Sequence, residues 1–110
     1  MKDAKSEGYG TYYYANTGQT YTGQLKNDKR HGYGHSKWED DGTVYYGQYK
    51  EGIKEGYGFY KWPSGNEYDG EWKDDKRTGV GVYKWVASGS IKRCNFKDDE
   101  IINVLEVIKP

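Results

Sequence analysis

The chain has 110 residues, with 17 basic and 17 acidic side chains, a formal net charge of zero and 34% hydrophobic residues. That length allows one domain with a small core, and the neutral balance argues against a nucleic-acid binder, which would carry a basic excess. The 16 glycines and 13 tyrosines stand where a two-layer globule would place Leu, Ile and Val, so stability has to come from aromatic rings held in a regular array.

Residues 1–7 read as a loose N-terminal end. The first strand expected is Tyr9–Tyr14. After it two kinds of run alternate: Tyr21–Lys26, Tyr45–Lys50 and Tyr68–Lys73 on the one hand, Tyr33–Trp38, Tyr57–Trp62 and Val80–Trp85 on the other. Polar turns such as NDKRHG, EGIKEG and DDKRTG separate them, followed by EDDG, PSG and ASG. The first Gly of each Gly-x-Gly falls at Gly8, Gly32, Gly56 and Gly79, spaced by 24, 24 and 23 residues. A fixed period of this size means an array of supersecondary units, here a β-hairpin and a return turn per period.

Alternation along a strand assigns the faces. Tyr21, Gly23 and Leu25 share one, as do Gly34, Ser36 and Trp38, and later units repeat the arrangement. Each strand thus alternates glycine with larger side chains on one face. A glycine weakens a strand but leaves a hole that a ring from a neighbouring strand can cover, so a single sheet can build a core on its own surface.

The pattern Y-x-G-x-W-K-x-D-K-R-x-G-x-G, as in YDGEWKDDKRTGVG at 68–81, resembles the MORN (membrane occupation and recognition nexus) repeat. The resemblance covers residues 8–91, as a partial first unit and three fuller ones. It implies an all-β fold: an elongated, single-layer antiparallel sheet of stacked β-hairpins. Residues 92–110 fit as a degenerate C-terminal capping unit, in which Phe96-Lys97 stands where Trp72-Lys73 does and Cys94 replaces a repeat glycine. Ile101, Ile102, Leu105 and Ile108 would also suit a helix turn, although the β-branched enrichment favours a closing strand. The cap is needed because an unfinished sheet edge invites further pairing, end to end or edge to edge.

No catalytic constellation, cofactor motif or metal site is expected. Each Gly-x-Gly leads into an aromatic strand rather than the helix that a dinucleotide site needs. His31 and His35 straddle a turn and a strand, Cys94 has no base partner, and the acidic runs lie in turns. Cys94 is the only cysteine, the N-terminal stretch has no apolar signal segment, and no run approaches a spanning helix of roughly 18 apolar residues. These features suggest a reducing cytoplasmic setting.

Two surfaces remain as candidates. Trp38, Tyr49, Tyr60, Trp62, Trp72, Tyr83 and Trp85 form an aromatic face with no second layer behind it, suited to a helix or extended peptide of a partner protein. Lys26, Lys50 and Lys73 (with Lys97) form one column on the opposite face, and Lys37, Lys61 and Lys84 another. If register brings the columns together, the stripe suits an anionic membrane, at about 1 kcal/mol per lysine. The family resemblance implies a non-catalytic adaptor, with a cytoskeletal and possibly ciliary assembly as the expected setting. The alternative is a peripheral phospholipid-binding module.

Overall fold

In the computed structural model, which describes residues 8–110, the chain forms one open antiparallel sheet. Its strands are β1 (Gly8–Tyr14), β2 (Gln19–Lys26), β3 (Lys29–Trp38), β4 (Val44–Lys50), β5 (Ile53–Lys61), β6 (Glu67–Lys73), β7 (Lys76–Lys84), β8 (Ile91–Lys97) and β9 (Glu100–Lys109). Each pairs with its sequence neighbours, so spatial order is chain order. The result is an elongated body of 57 × 26 × 18 Å. The all-β, single-layer hairpin array expected from the repeats is the fold observed. The loose end expected over residues 1–7 lies outside the described residues.

Register explains the array. Gly10, Gly23, Gly34, Gly47, Gly58, Gly70 and Gly81 lie opposite one another from strand to strand, and Cys94 continues the row. Tyr21, Tyr45 and Tyr68 fold over this glycine row and are fully buried. Each phenol reaches past its strand's glycine and donates to a backbone carbonyl: Tyr21 to Gln24 at 2.6 Å, Tyr45 to Gln48 at 2.8 Å, Tyr68 to Glu71 at 2.8 Å. Leu25, Tyr49, Trp72 and Phe96 fill the spaces between the tyrosines. Edge-to-face contacts join them, as Tyr45–Trp72 at 5.7 Å and Tyr68–Phe96 at 4.9 Å, the geometry that ring quadrupoles favour.

The turns inside the hairpins are shorter than the sequence suggests. Asn27 and Asp28 have φ of 52° and 66°, Asp74 and Asp75 the same, and Asp98 and Asp99 49° and 72°. Two consecutive residues with positive φ make the type I′ turn that matches strand twist. The basic residues after each turn therefore begin the next strand, which starts at Lys29 rather than Tyr33 and at Ile53 rather than Tyr57. The added length is absorbed by a bulge. Opposite Gln48 of β4, β5 places three residues, Glu55, Gly56 and Tyr57, with Gly56 at φ 102°. The Gln48 side chain fills the bulge and accepts the Tyr57 N–H at 2.7 Å.

The C-terminal unit is a hairpin of two strands, so the closing strand holds and the helix turn does not. Its near-helical apolar spacing has another cause. β9 carries bulges against β8 at three places, between Ile91/Lys92, Arg93/Cys94 and Asn95/Phe96. Each adds one residue to β9, so polar residues recur at every third position, Glu100, Asn103, Glu106 and Lys109, with apolar pairs between them.

Candidate functional site

The face that carries the core also carries a file of half-buried rings along one end of the strands. Trp38, Tyr60, Trp62, Tyr83 and Trp85 follow one another, with centroid separations of 6.5, 4.7, 5.4 and 4.5 Å. They lie at or near the strand ends, where Tyr60 ties the file to Tyr45 and Trp72 of the core at 6.3 and 5.6 Å, and all five stay half-buried. The other two members of the expected aromatic face lie deeper. Tyr49 and Trp72 are only 4% and 5% exposed. The Tyr49 hydroxyl shares a 2.6 Å hydrogen bond with Ser36, and the Trp72 indole donates to the Gly58 carbonyl at 3.1 Å. Both are core residues with little surface to offer a partner, because each is packed edge-on against two central tyrosines, Tyr49 against Tyr21 and Tyr45, Trp72 against Tyr45 and Tyr68.

A second set, absent from the sequence expectation, runs alongside. Arg30, Lys54 and Arg77 follow the type I′ turns, on the ring face, and lie over aromatic groups. Arg30 stands 4.9 Å from the Tyr49 centroid, Lys54 5.1 Å from Trp72 and Arg77 5.2 Å from Trp62. Each cation also reaches the next unit's turn. Arg30 donates to the Gly52 carbonyl at 2.8 Å, Lys54 pairs with Asp75 at 3.5 Å, and Arg77 pairs with Asp99 at 3.0 Å. Partial burial would raise the Asp99 carboxyl, but the Arg77 N–H groups and charge outweigh it and hold the carboxyl below its usual range. Between these groups and the rings lies a depression of about 200 Å³, lined by Lys54, Tyr60, Trp62, Trp72, Asp75, Arg77 and Asp99. It offers aromatic walls, fixed cations and fixed carboxylates, a combination suited to an amphipathic peptide and lacking an activated nucleophile.

The lysines occupy the opposite face, as their parity predicts, but the columns do not meet. Lys26, Lys50, Lys73 and Lys97 adjoin the hairpin turns, beside Lys29, Ile53, Lys76 and Glu100. Lys37, Lys61 and Lys84 lie at the other ends of the strands, beside Thr20, Val44 and Glu67. Lys26 and Thr20 stand six positions apart, about 20 Å along a strand. The single seven-lysine stripe therefore does not form.

Between the two columns lies an aromatic patch that the sequence reading passed over. His35 stacks on Tyr46 at 4.0 Å, and Tyr46 on Phe59 at 6.2 Å. Tyr9, Tyr33 and Tyr57, which recur every 24 residues, stand beside them and are 75%, 66% and 62% exposed. Together they line a shallow cavity of about 440 Å³. The His35 Nε2 is buried without a partner, and burial, with Lys37 nearby, pushes the imidazole pKa below its ordinary value. The 24-residue recurrence of Tyr9, Tyr33 and Tyr57 was the signal available in the sequence.

Four consecutive stretches, residues 1–19, 21–43, 45–67 and 68–90, match the MORN repeat family model. The chain belongs to the MORN repeat family. No curated protein matches it. The MORN units matched in the chain end before β8, so the Ile91–Lys109 hairpin continues the sheet without continuing the repeat pattern. MORN repeats are generally non-enzymatic binding modules. The cation column recurs at the MORN period, and so do Trp38, Trp62 and Trp85 of the ring file, while Tyr60 and Tyr83 stand where the earlier unit has Ser36.

Proposed function

We propose that the chain is a non-catalytic MORN-repeat scaffold that binds a helix or extended peptide of a partner protein along its ring face and positions it in a larger assembly. The observation that carries this is the file Trp38–Tyr60–Trp62–Tyr83–Trp85 beside Arg30, Lys54 and Arg77. Trp, Tyr and Arg are the side chains that most often dominate protein interfaces, and a periodic row of half-covered rings suits the regular spacing of a helix or strand. A cytoskeletal, including ciliary, setting follows from the resemblance to MORN adaptors alone.

A second reading is a membrane module that holds anionic phospholipid through Lys26, Lys37, Lys50, Lys61, Lys73 and Lys84. In its favour, all six are exposed on one face. Against it, Asp69 and Glu71 lie between the columns, and Lys50 pairs with Glu55 at 4.0 Å.

The test compares wild type with Trp62→Ala/Trp85→Ala and Lys37→Glu/Lys61→Glu, all with matched melting curves. Affinity capture followed by crosslink mapping should place a protein partner on the ring face, with binding at least about ten-fold weaker in the tryptophan pair. Capture that survives the tryptophan pair, with phosphatidylserine vesicles bound by wild type and released by the lysine pair, would establish the membrane reading instead.

A further inference from the structure

We propose that β9 is a self-pairing edge, through which two copies of this chain join antiparallel about a two-fold axis between Val104 and Leu105. The chain concentrates its aliphatic residues there and leaves them uncovered: Ile102, Val104, Val107 and Ile108 are 60%, 47%, 53% and 51% exposed. β9 also ends the sheet, with no strand on its outer side among the described residues. An apolar edge with free backbone groups is a template for another strand.

The sequence of β9 says which strand fits. EIINVLEVIK is complementary to its own reverse. Antiparallel pairing about its midpoint sets Glu100 against Lys109 of the second copy, Ile101 against Ile108, Ile102 against Val107, Asn103 against Glu106 and Val104 against Leu105. Every polar residue meets a polar one and every apolar residue an apolar one. Because the bulges give β9 a period of three, sliding the pair by one period preserves the apolar matches. Either slide, however, brings like carboxylates together, Glu100 against Glu106 in one direction and Glu106 against itself in the other. Like charges directly opposite are destabilising, so charge selects the centred register. The dimer is one continuous sheet with two copies of the ring face, which closes the edge and makes the scaffold bivalent.

The test is the oligomeric state of the 110-residue chain by sedimentation equilibrium, with circular dichroism as the control for folding. Wild type should be a dimer. Leu105→Asp, an exposed substitution, should be a folded monomer. Glu100→Lys and Lys109→Glu should each dimerise about ten-fold more weakly at low salt. Mixing those two variants should restore wild-type affinity, because each Lys then faces a Glu. Monomeric wild type, a dimer indifferent to Leu105→Asp, growth beyond two copies, or no recovery on mixing would each overturn the proposal.

Discussion

The two glycines of each Gly-x-Gly answer different demands. Gly56 sits in the bulge at φ 102°, where a side chain would be strained. Gly58 has ordinary strand geometry and is required for space, since a Cβ there would come within 2.6 Å of the Tyr45 Cζ. Gly58→Ala should therefore cost about 2–3 kcal/mol through overpacking. Gly10→Ala, in the same row, should cost much less, because its nearest neighbour is the Tyr12 hydroxyl at 3.2 Å, on an edge strand where the side chain has room to move. Chemical denaturation of both variants checks the difference. The row also explains Cys94. Two residues before it stands Lys92 instead of Tyr21, Tyr45 or Tyr68, so no ring folds back over the site and a thiol fills the hole. Parity alone made the ring-over-glycine packing of Gly34 and Gly58 legible. The strain at Gly56 was not legible, since it follows from a bulge that exists only relative to the partner strand.

Each hairpin is clasped to the next by the cation that follows its turn. Arg77 makes three contacts at once, over the Trp62 and Phe96 rings at 5.2 and 5.3 Å and to Asp99 at 3.0 Å. Asp99 is about half exposed, so the pair itself is worth less than a buried one. Together the contacts make Arg77→Ala destabilising by about 1–2 kcal/mol in urea melts at neutral pH. The Asp99 pKa is depressed in the folded state, so the unfolded chain takes up this proton first on acidification. The contribution is present above the unfolded value of about 4 and is lost as pH falls through the folded value. The difference between wild type and Arg77→Ala should accordingly narrow in acid. The recurrence of Arg30, Lys54 and Arg77 was visible in the sequence. Their position was misread because the turns looked six residues long. Two positive-φ residues suffice to reverse the chain, and this moves every following side chain onto a defined face.

At the scale of the molecule, one cluster of rings on one side of one sheet supplies the core, with the opposite face left to the lysine columns and the exposed tyrosines. Stability therefore depends on tyrosines that must stay neutral. Burial, with the neighbouring Tyr49, pushes the Tyr21 pKa up to about 12, and burial does the same for Tyr49. Tyr45 and Tyr68 also rise, again chiefly through burial. Tyrosine in the unfolded chain ionises near 10, so above that pH the unfolded state binds fewer protons than the folded one and stability falls. The loss should begin near pH 10 and deepen as pH rises through the folded values, which for Tyr21 and Tyr49 lie at about 12. In an alkaline titration, a group of phenolates seen at 295 nm should appear only as the sheet signal in circular dichroism disappears. Ionisation of every tyrosine with the sheet intact would contradict this account of the core.

The sequence by itself determined the repeat, the strand order, the face of the side chains in the middle of each repeat strand and the self-complementarity of β9, because these depend on the order of residues and on alternation along a strand. Tertiary structure alone decided that Tyr49 and Trp72 are covered while Trp62 and Trp85 remain half open. It also kept the two lysine columns apart at opposite ends of the strands and gathered Tyr9, Tyr33, Tyr46, Tyr57 and Phe59 into one patch. Those outcomes depend on register, bulges and twist between strands, and one strand's pattern contains no information about where its neighbour stands.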